Sequence, residues 1–491
     1  MSTFGFTPEN SDEDSEKNSQ DENSGEGLDF AAMMNQVQEA MAEQFQKLGI
    51  DPSNLDNLVN NPIIGSFGMG FGNTAGLQEA LPKNIVRDIA KKFVSAHGSM
   101  PMGANDVALV ERALAIAELW LDEATFFPSH SSISHSEISS GIESQSDASQ
   151  SEQSPKSRDN AKTTQNTLSR SDWVDVTLAG WQSTVEPLAI GLTAAMSELL
   201  KNATENQSES LVENQMQIPA GAITALLRTF IGSLLATQLG QSIGGLSAAV
   251  TGAHDVGLPL LDPIRPALVP QNIDQWSKDL EIPIEEVRIF HALRESAVAR
   301  LFASNPWLVS YIRTAISEYG KGIRIDIDAI QRQAQEAFDS ASASGGFDPA
   351  NPESFNIALN QGIFTPEETP TQREALIKLE TALALIDGWS EEVVTQGAKN
   401  RLPNLSALTE TLRRRRATSA PAQQLFSSLF GLAVSPRLAR EAANFWSKVR
   451  ELRDIETRDN IWSLILPTAQ DLLTPESYLD SITIPDDLSD L

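Results

Sequence analysis

Residues Glu281 to Leu308 read EIPIEEVRIFHALRESAVARLFASNPWL. Val287, Phe290, Ala297 and Leu301 recur at the spacing of a helix, so this segment predicts one that starts near Ile284 and stops before Pro306. Those four residues form its core-facing stripe. His291 and Glu295 lie one turn apart and share a face.

The same pattern extends outward. From about Ile218 to Leu473 the chain reads as successive helices broken by Pro and Gly, with few of the alternating β-branched runs that mark strands. Upstream, Asn84 to Thr125 and Ser171 to Leu200 read as two more core helices. Between them lies Ser129 to Leu168, where 13 of 40 residues are serine, a composition expected of a flexible insertion. No repeat of fixed period appears, so one helical domain interrupted by the insertion is the economical reading. The fold class expected is predominantly α.

The ends differ in character. Residues 1–28 carry eight acids and one lysine, with almost nothing to bury, and are expected to be a disordered acidic tail. They lack the basic and apolar regions of a signal peptide. Asp29 to Gly49 spaces Phe30, Met33, Met34, Val37, Met41, Phe45 and Leu48 as an amphipathic helix, which could dock on its own chain or offer itself to a protein partner. A Gly, Asn and Phe-rich linker follows, closing the region 29–80, and residues 481–491 form an acidic C-terminal tail.

Composition excludes several chemistries. With no cysteine among 491 residues, disulfides, thiolate metal sites and cysteine nucleophiles are ruled out, and a cytoplasmic location fits. A net charge of −30 repels phosphate backbones and anionic lipid, which argues against a nucleic-acid partner. Thr229 to Val250 holds 22 uncharged residues, long enough to span a bilayer. Gln238, Gln241, four glycines and the lack of any lysine or arginine after it through Asp262 favour a buried helix or helix pair instead.

Serine hydrolase chemistry is poorly served, because there is no GxSxG elbow and few histidines to act as a base. His130 and His135 fall in the serine tract, which leaves His97, His254 and His291 as possible bases. His254, beside Asp255 in TGAHDVGLPL, reads as a turn-stabilising residue. Arg413 to Arg416 is the one basic run. Four successive helical residues point about 100° apart, so the run predicts pairing within an acidic chain rather than one flat patch. Trp120, Trp173, Trp181, Trp307, Trp389 and Trp446 are assigned to packing.

In the opening segment, Arg294-Glu295-Ser296-Ala297-Val298 followed by PWL resembles the active-site helix of an actinobacterial family of zincin-like, zinc-dependent metalloproteases. In that helix a run ending in HExxH or RExxH precedes PWL after a short spacer. Nine further blocks are similar to the family in order: LPKNIVRDIAKKF, AELWLDEAT, SRSDWVDVTLAGW, ATQLGQSIGG, DVGLPL, GIFTPEETP, ALALIDGW, LPNLSALTETLRRRRA and RDNIWSLILPTAQDL. They span most of residues 81–480, which the resemblance makes one helical zincin-like domain interrupted at 129–168. Its implied activity is zinc-dependent hydrolysis of a peptide or small-molecule substrate.

The motif itself departs from that pattern. In HExxH the two imidazoles reach one zinc from one helical face while the glutamate activates its water. Registering the motif on Glu295 puts Arg294 at the first histidine and Val298 at the second, and neither donates a lone pair. His291 offers a ligand shifted by one turn. Glu318 in ISEYG and Asp387 in LIDGW stand where a third ligand would come from. The resemblance therefore implies zinc as cofactor and Glu295 as catalytic; with the histidine pair replaced, loss of the zinc is the competing expectation, the Arg294 guanidinium then occupying its space and charge. The alternative is a non-catalytic helical binding or scaffold protein that keeps the fold.

Overall fold

The computed structural model describes residues 80–129, 166–207, 220–323, 369–419 and 438–482. The acidic tails, the helix and linker expected before residue 80, most of the serine-rich insertion with His130 and His135, and most of the GIFTPEETP block lie outside the described residues. Within them the chain forms twelve α-helices: α1 Lys83–His97, α2 Ala104–Leu121, α3 Arg170–Gln207, α4 Ala220–Ser247, α5 Pro270–Ser277, α6 Ile284–Ser304, α7 Pro306–Lys321, α8 Pro370–Ala398, α9 Leu405–Ser419, α10 Ala439–Leu452, α11 Ile455–Asn460 and α12 Pro475–Ile482. No strand occurs among the described residues; the extended backbone makes only isolated bridges, Gly252 with Leu268 and Thr167 with Leu268.

Helix α6 is central and runs as its sequence predicts, from Ile284 to Ser304, with α7 starting at Pro306. Proline at the first helical position suits the start of α7, because its missing N–H is one that no helix would pair there. The stripe expected on α6 understates its burial. Val287 and every residue from Phe290 to Phe302 are buried, so the polar side chains of that stretch lie in the interior too. A helix enclosed on all sides must satisfy those groups internally. α6 packs on α2, α5, α7, α8 and α9.

One other expectation is corrected. The segment Asn84 to Thr125 is two helices, since Gly98 adopts φ +78° and Pro101 follows, ending α1 before α2 begins. Leu168, placed at the end of the expected flexible insertion, is fully buried, and its N–H donates to the Leu268 carbonyl at 2.9 Å.

Helix α4 contains most of the uncharged stretch 229–250, and its glycines have a packing role. A Cβ at Gly240 would lie 2.7 Å from Ile89 Cβ, and one at Gly244 would lie 2.4 Å from Phe93 Cβ. The small residues thus form the groove into which α1 settles. Among the described residues no helix is long and apolar enough to cross a membrane.

The C-terminal helices are pinned by aromatic packing. Trp446 stacks on Trp462 at 5.2 Å, and Trp389 meets Trp462 edge-on at 6.4 Å. Such ring pairs add about 0.5–1.5 kcal/mol beyond the area they bury. Of the tryptophans assigned to packing, Trp173, Trp181, Trp389 and Trp446 are fully buried, while Trp307 is 38% exposed and meets Tyr311 edge-on.

Candidate functional site

The polar centre of the domain lies where α6 faces the loop joining α4 to α5. The limbs of that loop hold each other: Ala253 N–H donates to Ala267 O and Val269 N–H to Thr251 O, both at 2.9 Å. The Ala253 N–H is shared with α6, and the His254 and Ala267 amides also point there. Glu295 meets them. Its Oε1 accepts from Ala253 N–H at 3.0 Å, Ala267 N–H at 3.1 Å and His254 Nδ1 at 2.8 Å. Its Oε2 accepts from His254 N–H at 3.0 Å. The side chains of His254 and Glu295 are 0% and 3% exposed. Both carboxylate oxygens are therefore engaged inside the protein.

Gly252 completes the contact. Its carbonyl accepts from Trp173 Nε1 at 3.2 Å, and a Cβ there would stand 2.3 Å from Glu295 Oε2. Only a residue without a side chain lets the carboxylate approach this backbone.

A chain of charges runs alongside. Arg294, the neighbour of Glu295 on α6, donates through Nη2 to Asp387 Oδ1 on α8. Arg416 on α9 donates through Nη1 to that same oxygen. Its Nη2 reaches Asp255 Oδ1 at 3.2 Å. Asp255 Oδ2 accepts from the Thr251 N–H at 2.9 Å and from its hydroxyl at 3.0 Å. Since that hydroxyl proton goes to Asp255, the Thr251 oxygen is left to accept from His291 Nδ1, 3.0 Å away. Arg294, Asp387, Arg416, Asp255, Thr251 and His291 thus form one network over α6, α8, α9 and the α4–α5 loop.

The electrostatics follow from this enclosure. Burial pulls Asp255 upward, but Arg416, the Thr251 amide and Arg294 outweigh it and hold its carboxyl below the ordinary range. Burial pushes His291 down to about 3; Asp255 opposes this, while Arg294, Arg416 and Arg415 reinforce it. His291 is therefore neutral at physiological pH, with its one N–H directed at Thr251. Burial, with Arg294 next, lowers Arg416 to about 10.

The residues singled out in the sequence separate into two groups. Arg294, Glu295, His291 and Asp387 meet in this centre, though Asp387 binds guanidinium groups. Glu318 does not join them: it lies exposed on α7 and pairs with Lys378 at 3.1 Å. His254, Asp255, Thr251 and Arg416 are the residues that sequence reasoning did not assign to the site. The adjacent pair His254 and Asp255 and the arginine run were visible, but nothing local to them pointed to α6. The four arginines do diverge: Arg413 pairs with Glu391, Arg414 with Glu410, Arg415 lies 4.5 Å over the Trp276 ring, and Arg416 enters the network.

The donors do not fit a metal ion. Among the described residues no group of three or more His, Asp or Glu side chains is placed to hold one. The Nε2 atoms of His254 and His291 are both buried without a hydrogen-bond partner. The two rings pack against different neighbours: His291 is 4.7 Å from Trp276 and 5.4 Å from Phe290, whereas His254 packs 6.0 Å from Phe302.

The described residues thus form an all-helical domain built around one buried helix, with Glu295 at its polar centre. The family model of zincin-like metallopeptidases matches residues 83–479, and the chain belongs to that family. No curated protein matches it. Among solved structures it is similar to a protein from Chloroflexus aurantiacus described as a "putative hydrolase with a novel fold", at 16% identity and a TM-score of 0.49, covering 82% of this chain and 98% of that one.

Proposed function

We propose that this chain is a metal-independent member of the zincin-like metallopeptidase family: a helical binding or scaffold protein in which the segment corresponding to the catalytic motif braces the interior. The observation that carries this reading is the occupancy of Glu295. A general base must reach a water or substrate proton with a free lone pair and a path to solvent. Here the carboxylate is spent on the amides of Ala253, His254 and Ala267 and on the His254 ring, in a place that solvent hardly reaches.

The neighbouring positions agree. Arg294 and Val298 stand where the resemblance puts histidines, and a guanidinium or a hydrocarbon offers no electron pair to zinc. The absence of cysteine favours the cytoplasm as its compartment. The amphipathic segment 29–49 would supply a surface for a protein partner.

Metal analysis and a peptidase assay on the purified full chain test the proposal. The expected result is zinc far below one ion per chain after dialysis, with no chelator-sensitive cleavage of a mixed peptide library. One zinc per chain, lost together with cleavage on Glu295→Gln, would overturn it.

A further inference from the structure

We infer that Arg294 and Arg416 together stand in for a divalent cation, holding Asp387 and Asp255 as a metal would hold its carboxylate ligands. This inference rests on the metal-independent reading above and adds a mechanism for it. Three observations carry it.

First, Arg294, which the resemblance registers on the first histidine of the motif, meets Asp387, the residue placed as a candidate third ligand. A cation-bearing side chain thus reaches the carboxylate where two donors would otherwise have met on an ion. Second, a second guanidinium, Arg416, converges on the same Asp387 oxygen and bridges to Asp255. Two positive charges then face two carboxylates, the charge that one dication would supply. Third, the network ties α6 to α8, α9 and the α4–α5 loop, the cross-linking of distant segments that a structural ion provides. Val298, one turn beyond Arg294 on the same face and registered by the resemblance on the second histidine, is 6% exposed.

An ordinary buried ion pair would make the same hydrogen bonds, so the test is exchange. Arg294→His, Val298→His and Arg416→Met combined remove both guanidiniums. They also leave two imidazoles at i, i+4 spacing near two freed carboxylates, a donor set suited to zinc. Zinc chloride is titrated against this variant and the wild type, with melting temperature and retained zinc after dialysis as readouts.

Zinc is expected to raise the melting temperature of the triple variant by about 5 °C or more, the scale set by near-saturating ligand in a domain of this size. About one ion should be retained, and the wild type should not respond. A triple variant that folds only when zinc is added supports the inference equally. If neither it nor the Arg294→His, Val298→His double variant takes up zinc, folded or not, the inference is overturned. A wild type stabilised by zinc, or destabilised by a chelator, overturns the metal-independent reading itself.

Discussion

Replacing Glu295 by alanine separates an internal brace from a catalytic base, because the two roles predict opposite behaviour. Of the donors that Glu295 satisfies, Ala253 N–H keeps a partner in the Ala267 carbonyl. The His254 and Ala267 amides and the His254 Nδ1–H have no alternative among the described contacts. Each buried donor left unpaired costs about 1–3 kcal/mol. Three of them, eased by local rearrangement or an entering water, put Glu295→Ala at about 4 kcal/mol. Glu295→Gln keeps an acceptor for the Oε1 cluster but turns its NH2 toward the His254 amide, at a cost of about 1–2 kcal/mol. Urea unfolding followed by tryptophan fluorescence at neutral pH measures both. A catalytic glutamate would be expected to leave stability unchanged or improved on removal, since active-site residues are commonly held at a cost to stability. A Glu295→Ala protein within 1 kcal/mol of wild type would refute the brace.

Gly252→Ala should destabilise comparably, because the added methyl group enters the space of Glu295 Oε2. Combined with Glu295→Ala it should cost less than the sum, and strict additivity in a double-mutant cycle would show that the two positions act independently. Acid should weaken the fold through His291. Its folded pKa of about 3 lies below the ordinary 6.5, so this contribution is complete above 6.5 and is lost as pH falls toward 3. At pH 5 the 1.5 units between 6.5 and 5 correspond to about 2 kcal/mol lost. His291→Gln should flatten the stability difference between pH 7.5 and pH 5 by that amount, and an unchanged slope would count against its burial as the neutral form. The depressed Asp255 acts in the same direction, its share fading only as pH falls through its own low value.

Much of the fold is legible in the sequence. The periodicity of residues 284–304, the prolines that end segments and the scarcity of alternating β-branched runs are local signals, and they describe helices that the tertiary structure keeps. The break at Gly98 is also written locally, in a glycine and a proline three residues on. What periodicity cannot report is enclosure. A helix buried on all sides looks weakly amphipathic, so the stripe on α6 did not reveal that Arg294, Glu295 and His291 lie in the interior.

By itself the sequence determined an acidic, cysteine-free, helical chain and the ordered blocks that resemble its family. Which donors Glu295 meets inside its own protein was decided only by the tertiary structure. The role of a carboxylate is set by the donors around it, and those donors arrive from far along the chain: Ala253 is 42 residues from Glu295, Asp387 is 93 from Arg294, and Asp255 is 161 from Arg416. No local pattern encodes such meetings. They arise when α6, α8, α9 and the α4–α5 loop pack together and bury groups that must then find partners.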